Sequence, residues 1–238
     1  MSPSATAAPT AGSQTLDRGL RALEILAEVG GPLSISELAD ALDVHRSSAY
    51  RILRTLEEHR LVLRDEAGQI RLGPRLVSLA RGAAPRLNVA ALPEITELAN
   101  TFGVTAFVAV LDGDQVITLM SVEPAHSHAS VAQRPGSRHS ALRGATGHAI
   151  EASLTAREHR AVFGGAPVSK HALETRERGY ALSHNEVIPG LSGLAVPLRV
   201  PGEPPAALAT VQIGTPPDLE AIVHHLRAAA ERIRREPS

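Results

Sequence analysis

The chain has 238 residues, 43% of them hydrophobic and 21% charged, with a formal net charge of -1. That length suits two modest globular domains, and a charge so near zero leaves any polyanion-binding surface to local placement of basic residues. The absence of cysteine excludes disulfides, thiol catalysis and zinc–cysteine sites, and an aromatic content of 2% argues against the stacking platforms of single-stranded nucleic-acid binders.

Residues 1–14 are rich in Ser, Ala, Thr and Pro and lack a basic region leading into an apolar core, so they read as a disordered tail rather than a signal peptide. No apolar run reaches membrane-spanning length. The expected setting is therefore cytoplasmic, with no membrane partner.

Helical periodicity begins at Leu16 and carries Leu20, Leu23, Ile25, Leu26 and Val29 as far as Gly30-Gly31-Pro32, a strong helix stop. Ser34 and Glu37 have capping-box spacing, which predicts a short helix ending near Leu42. Asp43-Val44 breaks the pattern, and a third helix is predicted over residues 45–59, with Ala49, Ile52, Leu53 and Leu56 facing a core. Two short helices around a tight turn, the second with a polar outer face, form the helix-turn-helix pattern. That face carries Arg46, Ser47, Ser48, Tyr50, Arg51 and Arg54. Arg46, in the first turn, is the candidate for a bidentate contact to guanine. Arg51 and Arg54 read as phosphate clamps, and Tyr50 as a phosphate contact or a cover for the helix surface.

Arginines on an exposed helix are often no more than a solvated face, and Glu57 and Glu58 close this one. The next segment shifts the balance. Residues 61–64 and 69–72 are strand candidates around the Asp65-Glu66-Ala67-Gly68 turn. Helices followed by a hairpin make a winged helix spanning residues 15–72, in which Arg64 and Arg71 become candidates for backbone or minor-groove contact. Double-stranded DNA is the partner this pattern favours, with a winged-helix protein-interaction module as the alternative.

A linker helix is predicted within residues 73–84, with Leu76, Val77 and Leu79 on its apolar side. Residues 85–238 form the larger part. They offer a helix over 91–101, strands over 104–111 and 116–122, helices over 142–153 and 169–178, strands over 193–200 and 206–213, and a terminal helix over 217–235. This order predicts an α/β layer with a central antiparallel sheet, large enough to enclose a ligand pocket. The histidines raise the question of an enzyme or metal centre. His126, His128 and His139 lie close in sequence and His224 adjoins His225, but no HExxH pair or spaced carboxylate accompanies them. Ser183-His184 lacks a nucleophile-elbow context. No catalytic residue, metal ligand or cofactor is assigned.

The segments "HRSSAYRILRTLEEHRLV", "IRLGPRL" and "RERGYALSHNEVIPGLSGLAVPL" resemble the IclR family of bacterial transcriptional regulators, and the likeness covers nearly the whole chain beyond the tail. It implies winged helices that pair on operator DNA, and a GAF-like C-terminal domain that binds a small-molecule effector and builds dimers or tetramers. Asp43 stands where the family often has Gly, and Asp tolerates left-handed geometry. The resemblance also places effector contacts at Ala145 and Thr146, at a helix start suited to an anion. In the family's small-keto-acid sensors an Asp, a Cys and two Ser complete the site. Their counterparts here are Ser183, Gly193, Val211 and Ile213. Loss of the acid, the thiol and two hydroxyls argues for an apolar-bodied effector such as an aromatic acid, although core packing accounts equally well for Val211 and Ile213. Arg138 and Arg143 are candidate carboxylate partners, with surface placement the alternative. Repression by promoter occlusion is favoured over activation because it needs no specific polymerase contact. A C-terminal domain that serves assembly alone is the competing reading.

Overall fold

The computed structural model describes residues 12–80, 82–126, 131–216 and 218–235. Most of the predicted tail, together with His128 and Pro217, lies outside them. The chain divides into two compact units, Met1–Ala83 and Ala84–Ser238.

In the first unit α1 (Gln14–Val29) starts two residues earlier than its periodicity predicts, because Ser13 caps it by accepting from the Leu16 N–H. Gln14, assigned to the tail by composition, is therefore helical. Gly30 closes the helix in the left-handed conformation. The capping box forms as predicted: the Glu37 N–H donates to Ser34 Oγ at 3.3 Å and the Ser34 N–H to Glu37 Oε2 at 2.8 Å, starting α2 (Ile35–Ala41). Asp43 adopts φ +51°, the left-handed geometry the turn demands. α3 (Arg46–Glu58) follows, capped by His45, whose Nδ1 accepts from the Ser47 N–H. Leu26, Leu38, Leu53, Val62 and Ile70 are among the residues that fill the core between these helices and the hairpin.

The hairpin pairs β1 (Val62–Arg64) with β2 (Ile70–Leu72), and Leu33 adds an isolated bridge to Ile70 that the sequence pattern does not reveal. Gly73 is required where the chain leaves the wing, since a Cβ there would stand 2.2 Å from the Arg60 carbonyl oxygen. The linker helix, α4 (Arg75–Ala80), lies within the predicted span, and none of its six residues is buried.

The second unit is a six-stranded antiparallel sheet with helices on both faces. Its strands are β3 (Thr105–Asp112), β4 (Gln115–Val122), β5 (Arg138–Ser140), β6 (Ala181–His184), β7 (Leu191–Leu198) and β8 (Ala206–Ile213), in spatial order β5-β4-β3-β8-β7-β6. One face packs α5 (Pro85–Phe102) and α9 (Leu219–Arg235) against Ala106, Val108, Leu194 and Leu208. The other receives α6 (Gly144–Ser153) on Phe107, Ala181, Ala195, Ala207 and Ala209, with α7 (Ala156–Phe163) and α8 (Lys170–Arg178) beyond.

α5 begins at Pro85 rather than near residue 91. Pro85 suits the first helical position, and Pro93 is tolerated mid-helix on the exposed face, where water can take the carbonyl that loses its N–H. Sequence reasoning missed β5 and β6, which are short, and α7, whose Thr155/Glu158 capping box was a usable signal.

α6 is buried from Gly144 through Glu151. The Glu151 carboxylate, 0% exposed, is satisfied locally: it accepts from the Ser169 N–H at 2.9 Å and the Ser169 hydroxyl at 2.5 Å, and faces His159 Nε2 at 3.1 Å. Glu151→Ala strands these groups and is expected to cost about 3 kcal/mol in urea unfolding, against a smaller loss for Glu151→Gln, which keeps one acceptor oxygen.

Candidate functional site

On the first unit, α3 presents Arg46, Ser47, Tyr50, Arg51 and Arg54 to solvent, with Ser48 half-buried. Arg46 occupies the first helical position. The Ser47 hydroxyl is held by the capping His45 ring at 2.9 Å, and Arg54 pairs with Glu58 one turn on, at 3.2 Å on an exposed face. Arg64 differs from the others. Its guanidinium is half-buried, bonds Glu57 at 2.8 Å and lies 5.4 Å from the centre of the Tyr50 ring, so it ties the wing to α3. Arg71, on the paired strand, is exposed.

On the second unit, five of the six predicted effector residues line one cavity. Ser183 pairs with Gly193 across β6 and β7, and Gly193 with Val211 across β7 and β8, so the three stand in one row of the sheet. The α6 N-terminus sits over that row: Ala145 and Thr146 line the cavity, and the Ala145 N–H donates to Ser183 Oγ at 3.0 Å. Gly193 leaves the room for this contact, because a Cβ there would stand 3.1 Å from Ser183 Oγ. Ile213 stands apart from the other five. It shares a strand face with Val211, but at the end of β8 it is 62% exposed and outside the cavity wall.

The cavity measures about 60 Å³, room for a few waters. No Arg or Lys is among its described lining residues. Arg138 instead faces Asp112 at 3.8 Å, and the Arg143 side chain donates to the Glu186 carbonyl.

Two groups that the sequence reading did not place in the effector site belong to the wall. His139 Nδ1 donates to the Ser140 carbonyl at 2.9 Å, which leaves Nε2 to accept from the Thr146 hydroxyl at 3.0 Å. Burial, chiefly, and the nearby Arg143 and His148 hold this imidazole below its ordinary pKa, against the Ser140 bond. Glu186 reaches back to the helix start, where its Oε2 accepts from the Gly144 N–H at 2.9 Å and lies 2.8 Å from His148 Nε2. Burial pushes its carboxyl up, but these bonds and the neighbouring His171 outweigh it, and the net shift is downward. The chain's own carboxylate thus occupies the anion position at the α6 N-terminus. Ser183 and His184 point to opposite faces of β6, and His184 Nδ1 bonds Ser192 Oγ at 2.8 Å, so they form no catalytic pair.

Residues 15–66 match the IclR helix-turn-helix domain, and residues 84–235 match the bacterial transcriptional regulator IclR C-terminal domain. The chain belongs to the IclR family. It is a DNA-binding transcriptional regulator with a ligand-binding C-terminal domain, and the family is not catalytic. The glycerol operon regulatory protein of Streptomyces coelicolor is 31% identical, over 78% of this chain and 79% of that protein. The crystal structure of an IclR regulator from Alicyclobacillus acidocaldarius superposes with a TM-score of 0.81 at 26% identity, covering 94% of this chain and 98% of that one. An IclR homolog from Microbacterium hydrocarbonoxydans, complexed with 4-hydroxybenzoate, shares the fold with a TM-score of 0.81 at 24% identity, covering 93% and 98%. Among the described residues, no helix is long and apolar enough to cross a membrane.

His139 supplies a pH signature. Its folded pKa lies below the ordinary 6.5, so the unfolded chain binds the proton more readily and acidification through 6.5 removes stability. Between pH 7 and 5.5 the wild type is expected to lose more stability than His139→Gln, as read by chemical denaturation at each pH.

Proposed function

We propose that this regulator is a repressor whose operator binding is released by an apolar-bodied carboxylic acid held under the α6 N-terminus. The observation that carries the reading is the Ser183–Gly193–Val211 row beneath that helix start, with Phe107 and Val211 as apolar walls and no Arg or Lys among the described lining residues. Such a site recognises an acid through helix N–H groups and its body through dispersion and burial. The effector carboxylate takes the place of Glu186 on the Gly144 N–H. Its body requires the 185–190 loop, which brings Val187 and Ile188 to the wall, to move outward, since 60 Å³ falls well short of the roughly 300 Å³ of a typical ligand pocket. The complex of the like-folded Microbacterium protein with an aromatic acid is consistent with this choice of ligand.

At the operator, Arg46 reads a base, Ser47, Ser48, Tyr50, Arg51 and Arg54 face the backbone and groove edge, Arg71 meets the backbone from the wing, and Arg64 positions that wing. The exposed Leu16 and Leu20 on α1, and Val77 and Leu79 on α4, supply apolar surface for the dimer that a two-fold operator requires. The small cavity favours one other reading, in which the C-terminal domain only assembles subunits.

Titration of the protein's own upstream DNA at fixed salt, with and without a panel of acids, separates the two. Aromatic or branched acids are expected to lower operator affinity while glyoxylate and pyruvate do little. Tight glyoxylate binding without response to larger acids sinks the effector assignment, and indifference to every acid supports assembly. In the same assay Arg46→Ala should cost about 1–3 kcal/mol and relax specificity at one base pair. Arg51→Ala should weaken all sequences alike and reduce the salt slope by about 1.

A further inference from the structure

Beside the effector cavity, α6, α8 and the loop after β6 bring together three metal-ligating side chains that are 23 and 15 residues apart in sequence. His148, His171 and Glu186 each offer a donor atom, and the three atoms lie within 4.8 Å of one another. The His148 and His171 rings are 4.6 Å apart between centroids. His148 is 1% exposed, and its Nδ1 meets no hydrogen-bond partner. Buried imidazoles serving only as packing are normally satisfied. His139 has both nitrogens engaged, and the nearly buried His159 holds Glu151. His148 alone among these three keeps a buried nitrogen, Nδ1, unused, while its Nε2 faces the carboxylate of the cluster.

We infer that His148, His171 and Glu186 form a binding site for a divalent transition-metal ion of the zinc class. Two imidazole nitrogens and one carboxylate oxygen form a donor set that suits this class, with a fourth position left to water. Bonds of about 2.0–2.1 Å bring tetrahedral donors to about 3.4 Å apart, so the widest pair in the cluster, within 4.8 Å, must close by at most about 1.4 Å. The exposed His171 side chain has the freedom to do so. His148 is fixed by burial, and Glu186 already lies 2.8 Å from its Nε2.

Glu186 is also the group that fills the α6 N-terminus, accepting from the Gly144 N–H. A cation at the cluster competes with that N–H for the same carboxylate, and so frees the helix start for an effector acid. This coupling rests on the cavity reading above, whereas the metal site does not. The test of the metal site is therefore run on the full chain with no effector present.

After chelator treatment, Zn²⁺ is titrated calorimetrically and Co²⁺ by its visible absorption, whose intensity reports low-coordinate geometry. One ion per chain is expected. His171→Ala, exposed enough to leave the fold intact by thermal melting, and Glu186→Gln should each weaken binding by more than about 10-fold, since even outer partners of metal ligands are worth that much. His224→Ala, at a separate histidine pair, should leave binding unchanged. Absence of one-per-chain binding, or binding that survives both His171→Ala and Glu186→Gln, overturns the assignment.

Discussion

The second unit depends on how closely α6 lies against its sheet. Alanines make that contact: Ala145 and Ala149 on the helix meet Ala181, Ala195, Ala207 and Ala209 below. Gly147 brings the backbone to the Ala141 carbonyl, where a Cβ would stand only 2.5 Å from the oxygen. Large side chains on either surface would lift the helix, and its first N–H groups would no longer reach Ser183 and Glu186. A helix sunk so deep has no solvated face for its polar residues, so Glu151 and His148 must be dealt with inside. Glu151 is fully satisfied there. His148 is not, and that difference gives the two buried groups different meanings.

The winged unit solves an opposite problem. Its helices must stay rigid while leaving one face free, in a chain whose net charge gives no general attraction to DNA. Caps supply the rigidity: Ser13, Ser34 and His45 hold the three helix starts without drawing on Arg46 or Arg51. Glu57 neutralises only the arginine that fastens the wing. The arginine that fastens the wing is thus distinct from Arg46 and Arg51, which stay exposed on α3.

Sequence made the winged unit legible nearly to the residue, because its signals are local: the Ser34/Glu37 box, the glycine stop after α1 and the period of α3. Asp43 could be anticipated in left-handed geometry from the resemblance, since it stands where the family often has Gly. The second unit was harder because its site is assembled by pairing. Ser183, Gly193 and Val211 form a row only once three strands are in register. Resemblance placed them, but it could not show that the Ile213 side chain, two residues on at the last paired position of β8, is exposed. Glu186 and His148 carried no sequence signal at all. Their meeting depends on α6 and the loop after β6 converging across 38 positions, and no spacing rule reports that.

Under the effector reading proposed above, the occupied helix start also constrains how the sensor discriminates among ligands. In the closed arrangement Glu186 is an internal ligand with charge-assisted bonds, so an incoming acid only exchanges one carboxylate for another and gains little from its head group. The gain that remains is burial of the ligand body against Phe107 and Val211, minus the work of moving Val187 and Ile188 outward. A two- or three-carbon acid has almost no body to bury, so it leaves the closed state dominant even though its carboxylate fits. A ligand with an apolar body shifts the equilibrium because it interacts differently with the two states, the condition any effector must meet. In that proposal, an internal carboxylate turns a general anion site into one selective for what is attached to the anion.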